Sequence, residues 1–111
     1  MSLMLTTPFT EPHTLTILKA LANDLRFDMV RILARGERCV CDLEAALQLP
    51  QSKVSYHLGV LRDAGLVVSE TRGRNAYYRL LPEPMYALGG DVLREVYLSE
   101  LPEKHQTYPV C

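Results

Sequence analysis

Cys39 and Cys41 stand one residue apart in Cys39-Val40-Cys41-Asp42-Leu43, and they carry the most distinctive chemistry of the chain. Thiolates bind soft ions and oxidise readily, so the pair suits either capture of a thiophilic ion or redox sensing. A lone cysteine is most often a small core hydrophobe. Two at i and i+2 resist that explanation, because on a regular helix they point about 200° apart. Either one of them is exposed or the backbone is not helical there. Arg35 and Arg38 lie close in sequence, and a helix starting at this point adds positive potential, both of which favour thiolate. Cys111 is the third sulfur of the chain.

A second chemistry lies just downstream. Residues 51–80 carry Lys53, Arg62, Arg72, Arg74 and Arg79 against Asp63 and Glu70, a balance of +3 within a chain of net charge -1. A basic face on an otherwise acidic protein is the electrostatic footprint of a duplex binder. Composition, at 48% hydrophobic and 23% charged residues, is that of a globular domain, and 111 residues make one domain with a modest core. No apolar run approaches the roughly 20 residues of a spanning helix. Met1 to Thr10 lacks a basic segment followed by an apolar one, so a cytoplasmic location with reduced thiols is expected.

The elements that must position these groups follow from periodicity. After Pro8 and Pro12, an expected flexible arm over residues 1–12 gives way to a helix carrying Leu15, Ile17, Leu18, Leu21 and Ala22. Asn23 or Asp24 caps a second helix, with Leu25, Met29, Ile32 and Leu33 on one stripe and Phe27, Val30 and Ala34 beside it; Gly36 ends it. A third helix spans about Cys41 to Leu47, with Leu43, Ala46 and Leu47 inward, and stops at Leu49-Pro50. The fourth opens at Gln51 and buries Val54, Leu58 and Leu61, turning Gln51, Lys53, Ser55, Tyr56, His57 and Gly59 to other faces. Beyond Gly65, Val67, Val68 and Thr71 read as a strand, Gly73-Arg74 as a reversal, and Ala76, Tyr77 and Tyr78 as the returning strand. After Pro82 and Pro84, a last helix over about Met85 to Leu98 carries Leu88, Val92, Leu93, Val96 and Tyr97, and residues 99–111 read as a tail. This order, α-α-α-α-β-β-α, is mainly α with a small hairpin: a winged helix-turn-helix over residues 13–98.

With that order in hand, several segments resemble one family. Cys39 to Leu43, Ser52-Lys53-Val54-Ser55-Tyr56-His57-Leu58, Leu61 to Val67 and Gly73 to Leu80, with Leu21 to Arg26 upstream, are similar to the ArsR/SmtB metal-responsive repressors. The resemblance implies a homodimer, operator DNA as partner, and release on binding a metal or metalloid. No part of the pattern implies an enzyme, since no oxyanion donors, cofactor motif or orienting third residue accompany a cysteine and His57.

In a helix-turn-helix the second helix enters the major groove N-terminus first, so Gln51, Ser52, Lys53, Ser55, Tyr56 and His57 are the candidates for bases and phosphates. Arg72 and Arg74, flanking the turn, are candidates for the backbone or minor groove. Two-fold proteins read two-fold operators, hence an imperfect inverted repeat. Leu15, Leu18, Leu88, Val92 and Val96 on the terminal helices are the expected dimer surface.

The family's arsenic-responsive branch has a similar Cys-Val-Cys-Asp-Leu segment, and trivalent arsenic or antimony takes three sulfurs in a pyramid. The third cysteine of that pattern falls at Glu44, a hard oxygen ligand. Cys111, from the same or the partner subunit, is the remaining sulfur; with two sulfurs alone the site suits a methylated trivalent arsenical. Cys39, Cys41 and Cys111 are therefore the candidate ligands. Zinc, cadmium or lead on two thiolates with Glu44 or His57, thiol oxidation with pairing to Cys111, and a purely protein-binding winged helix stay as alternatives. The family's acid and His site on the last helix is absent, as residues 86–98 hold Asp91 and Glu95 but no His. Drawing Cys39 and Cys41 onto one ion is expected to open, or keep extended, the first turn of the third helix and so misalign the helix after Pro50. Coupling of about 1 to 3 kcal/mol, usual for allosteric systems, weakens DNA affinity by about 5- to 150-fold.

Overall fold

The computed structural model describes residues 13–98. Expectations for the N-terminal arm and for the tail, Cys111 included, lie outside them. Helix α1 spans His13–Leu21 and α2 Asp24–Leu33, followed by a short strand β1 at Arg38–Cys39. Then come α3 (Val40–Leu47), α4 (Gln51–Asp63), the hairpin β2 (Val67–Arg72) and β3 (Asn75–Leu80), and α5 (Pro82–Tyr97). Five helices and a small antiparallel sheet make the expected winged helix-turn-helix, with one strand more than the sequence suggested. Two residues of β1 are too few to show a period, and they become a strand because β3 offers them a free edge. The sheet order is β1-β3-β2, all antiparallel, with Cys39 opposite Tyr77.

Local chemistry sets the boundaries. Asn23 is the N-cap of α2, its side chain accepting from Arg26 N–H at 3.0 Å. Gln48 closes α3 in the left-handed region at φ 55. The hairpin turns through Gly73-Arg74, with φ +64 at Gly73 alone, the pattern of a type II′ turn that matches the twist of its flanking strands. α5 starts at Pro82, not near Met85. Proline is well placed in the first helical turn, where its missing N–H has no partner to lose.

The core gathers Ile17, Met29, Leu43, Val54, Leu58, Leu61, Leu66 and Val67, all fully buried, and so locks α1, α2, α3, α4 and β2 together. Three details differ from the periodic expectation. Phe27 is 51% exposed, because α2 turns Met29, Val30 and Leu33 inward and leaves Phe27 on its flank. Ala46 faces solvent, while Leu43 is buried and Leu47 partly so. α5 has no fully buried residue, since it lies at the edge of the molecule, touching the core through Met85 and Leu88.

Candidate nucleic-acid interface and cysteine site

α3, the Gln48-Leu49-Pro50 turn and α4 form the helix-turn-helix. On α4 the structure leaves Gln51, Ser52, Lys53, Ser55 and Tyr56 exposed, as expected, with Tyr56 at 64%. His57 is different. It is 6% exposed, so the expectation that it faces outward is corrected. Val54, His57, Leu58 and Leu61 fall at i, i+3, i+4 and i+7, so His57 sits on the buried stripe. That spacing was legible, and residue polarity obscured it.

His57 Nδ1 lies 3.1 Å from Arg26 Nη1. A guanidinium only donates, so Nδ1 must accept and the ring proton resides on Nε2. Burial first, then the neighbouring charges of Arg26 and Lys53, hold the imidazole below its ordinary 6.5, consistent with a neutral ring. Arg26 Nε also donates to the Ala20 carbonyl at the end of α1, at 2.7 Å. The His57 and Tyr56 rings meet edge to face, with centroids 5.1 Å apart.

The wing arginines divide. Arg72 Nη2 donates to the carboxylates of Glu37 and Glu70, and its guanidinium lies 4.6 Å over the Tyr77 ring. Its hydrogen bonds to those two carboxylates raise its already high pKa further. Arg72, the last residue of β2 beside the turn, is thus tied to acids while 45% of its side chain stays exposed; of the two acids Glu70 lies two residues away, and Glu37 is distant in sequence. Arg74 is exposed at the turn.

Cys39 is 4% exposed and is both the end of β1 and the N-cap of α3. Asp42 N–H donates to Cys39 Sγ at 3.1 Å, and Cys39 N–H donates to the Asp42 carboxylate at 3.1 Å, a capping box with sulfur in place of a hydroxyl. Cys41 is exposed on the first turn. The two sulfurs are joined to each other across a Cα separation of 5.2 Å, whereas free thiols were expected. Cys39 has extended backbone, φ -82 and ψ 165, which folds its side chain back over the turn carrying Cys41. So the helix need not open for the sulfurs to meet, and one of the two conditions set by their spacing, an extended Cys39, is met within the native fold.

Both sulfurs and an Asp42 oxygen lie within 4.8 Å of one another, the one such donor group among the described residues. Asp42 was missed as a member, although the Cys39-x-x-Asp42 spacing of a capping box announces it. Two adjacent sulfurs fit a thiophilic ion in the dithiol state, and the Asp42 oxygen is a hard, weak third donor. Glu44 is partly buried, outside this group. His57 is engaged with Arg26 and is no ligand partner for the cysteines. Arg38 Nη1 donates to the Glu37 carbonyl, so among the hydrogen bonds of the site it is the α3 N-terminus that reaches Cys39 sulfur.

Leu15 and Leu18 on α1 are 41% and 37% exposed, and Leu93 and Val96 on α5 are 58% and 63%. Between the two helices a cavity of about 230 Å³ is lined by Thr14, Leu15, Leu18, Val92, Glu95 and Val96. No described helix is long and apolar enough to cross a membrane.

A polar, exposed second helix in a helix-turn-helix, followed by a hairpin wing, defines a winged-helix DNA-binding regulator. Residues 23–69 match the family described as bacterial regulatory protein, arsR family. The chain is 48% identical over 111 residues, 86% of this chain and 84% of the other, to the arsenic resistance transcriptional regulator ArsR1 of Pseudomonas putida. It is 45% identical over 71 residues to the arsenical resistance operon repressor of Bacillus subtilis, covering 63% of this chain and 68% of that one. A solved structure described as a possible transcriptional regulator for arsenical resistance superposes with TM-score 0.64 at 30% identity, over 86% of this chain and 97% of that chain. The chain belongs to the ArsR/SmtB family and is a DNA-binding transcriptional repressor, not an enzyme.

Proposed function

We propose that the protein acts as a homodimer on an imperfect inverted-repeat operator and is released by a trivalent arsenical held by the thiolates of Cys39 and Cys41. The observation that carries this is the meeting of the two sulfurs at the cap of α3. A methylated trivalent arsenical needs two sulfurs and is satisfied here; arsenite or antimonite takes a third, for which Cys111 is the candidate. Relatives bearing arsenic-resistance names support the metalloid assignment over cadmium, lead or zinc. In the complex Gln51, Ser52, Lys53, Ser55 and Tyr56 face the groove, with Arg74 at the backbone. The exposed apolar residues of α1 and α5 supply the dimer face, and a thiol-bound inducer implies a reducing compartment.

Release follows from the cap. An ion on Cys39 Sγ draws electron density from the sulfur that accepts Asp42 N–H and sets its orientation, so inducer binding weakens the α3 N-cap. Weakening the cap tilts α3 and, through Gln48 to Pro50, α4. The joined sulfurs favour one second reading, release by oxidation. Two thiols then lose two protons and two electrons to a peroxide, which leaves as water, and one S–S bond forms.

One titration separates the two. Operator fluorescence anisotropy with arsenite, antimonite, methylarsenite, cadmium, zinc or peroxide, in excess reductant except in the peroxide arm, should show release by the arsenicals. Release by peroxide alone selects the redox reading, and C39S or C41S released by arsenite as readily as wild type defeats the metalloid one.

A further inference from the structure

His57 stands on the DNA-reading helix yet is buried, which leaves its role open. Its contacts run from one functional surface to another. Ala20 O at the end of α1 accepts from Arg26 Nε at 2.7 Å, Arg26 Nη1 meets His57 Nδ1 at 3.1 Å, and the rings of His57 and exposed Tyr56 meet edge to face with centroids 5.1 Å apart. Asn23 fixes the start of α2 by capping at Arg26 N–H. The contacts therefore join α1, α2 and α4 at one joint, and end on a side chain that faces the groove.

We propose that Arg26 and His57 are positioning residues that set the recognition helix and Tyr56 for operator binding, and that protonation of His57 releases the operator. Arg26 has no lone pair and stays charged, so the contact exists only while Nδ1 is free to accept. Protonation replaces it with two cations at hydrogen-bond distance, one of them on a buried ring. Among the described residues the charges that act on the ring are Arg26 from α2 and Lys53 from α4 itself, both positive. Lys19 of α1 and Asp63 of α4 line the adjoining cavity of about 320 Å³ with Arg26. With cations nearest, an imidazolium has no compensating partner at Nδ1, so the joint must open for the proton to stay.

The sign sets this apart from surface chemistry. A histidine touching phosphate gains a cation in acid and tightens DNA binding. A buried acceptor to Arg26 does the reverse. The inference rests on DNA binding alone, so the assay contains no arsenical and is independent of the inducer assignment.

A duplex enriched by the wild-type chain from a random-sequence library serves as the probe, titrated from pH 7.5 to 5.5 at fixed salt, with far-UV circular dichroism on the same samples. Wild-type affinity should fall by about three- to fivefold over that range, the part of the tenfold linkage of a one-unit pKa difference between free and DNA-bound protein that is expressed by pH 5.5, with helix content unchanged. H57N places an amide oxygen where Nδ1 lies and does not titrate; it should bind near wild-type strength at pH 7.5 with a flat profile. H57L keeps the burial without an acceptor and should bind weakly at every pH. An H57N profile that follows wild type, or wild-type binding that tightens in acid, overturns the proposal. Should H57N fail to fold, the sign of the wild-type profile still decides.

Discussion

Replacing Cys39 by serine and by alanine separates its two jobs, capping α3 and holding an inducer. Serine keeps an acceptor for Asp42 N–H, which sulfur now meets at 3.1 Å, and oxygen is the better N-cap atom. Alanine removes it, and loss of an N-cap costs about 1 kcal/mol, within a range of roughly 0.5 to 2. In a domain of this size 1 kcal/mol moves the melting temperature by about 4 to 8 °C. Under excess reductant, which opens the Cys39–Cys41 bond, C39S should melt within about 3 °C of wild type on the same scale and C39A about 4 to 8 °C lower. C41S, on the exposed side of the same turn, should stay within about 0.5 kcal/mol of wild type. All should be measured at one protein concentration by differential scanning fluorimetry, because association shifts the apparent midpoint. C39S and C41S should bind operator normally and ignore methylarsenite. Equal destabilisation by C39S and C39A would refute the capping role, and a wild-type methylarsenite midpoint in C39S would refute the ligand role.

Lys53→Gln should weaken operator binding uniformly across sequences and lower the slope of log K against log salt by about one, if Lys53 contacts phosphate; an unchanged slope removes it from the interface. Leu18→Glu puts a charge on the exposed face shared with Val92 and Val96 and should yield a folded monomer by light scattering, with operator affinity sharply reduced. Persistent dimers would move the interface elsewhere. Thermal stability should also depend on pH through His57. Its folded value lies below 6.5, so the unfolded chain takes the proton first. Stability is therefore full above pH 6.5 and falls as the pH drops from there toward the depressed value. H57N should flatten that part of the curve, and an unflattened curve assigns the acid sensitivity to other groups.

Periodicity and caps made most of the architecture legible before any coordinates. Val54, Leu58 and Leu61, the turn chemistry of Gly73, the cap at Asn23 and the stop at Pro50 each act within a few residues of themselves, and each element appeared where those signals placed it. The cysteine pair was equally plain, because i, i+2 thiols cannot share a helical face and Cys39 had to leave the helix or Cys41 the core. Strand β1, the braced Arg72 and the buried Arg26–His57 contact were decided elsewhere. Each joins residues more than 30 positions apart: Cys39 to Tyr77, Glu37 to Arg72, Arg26 to His57. Residue type alone set His57 and Arg72 among the DNA contacts, since both are polar and lie on the right elements. The burial of His57 lay on the Val54, Leu58 and Leu61 stripe, but only packing shows that Arg26 meets it and that Glu37 holds Arg72, because a long-range partner leaves no periodic trace in the chain that carries it.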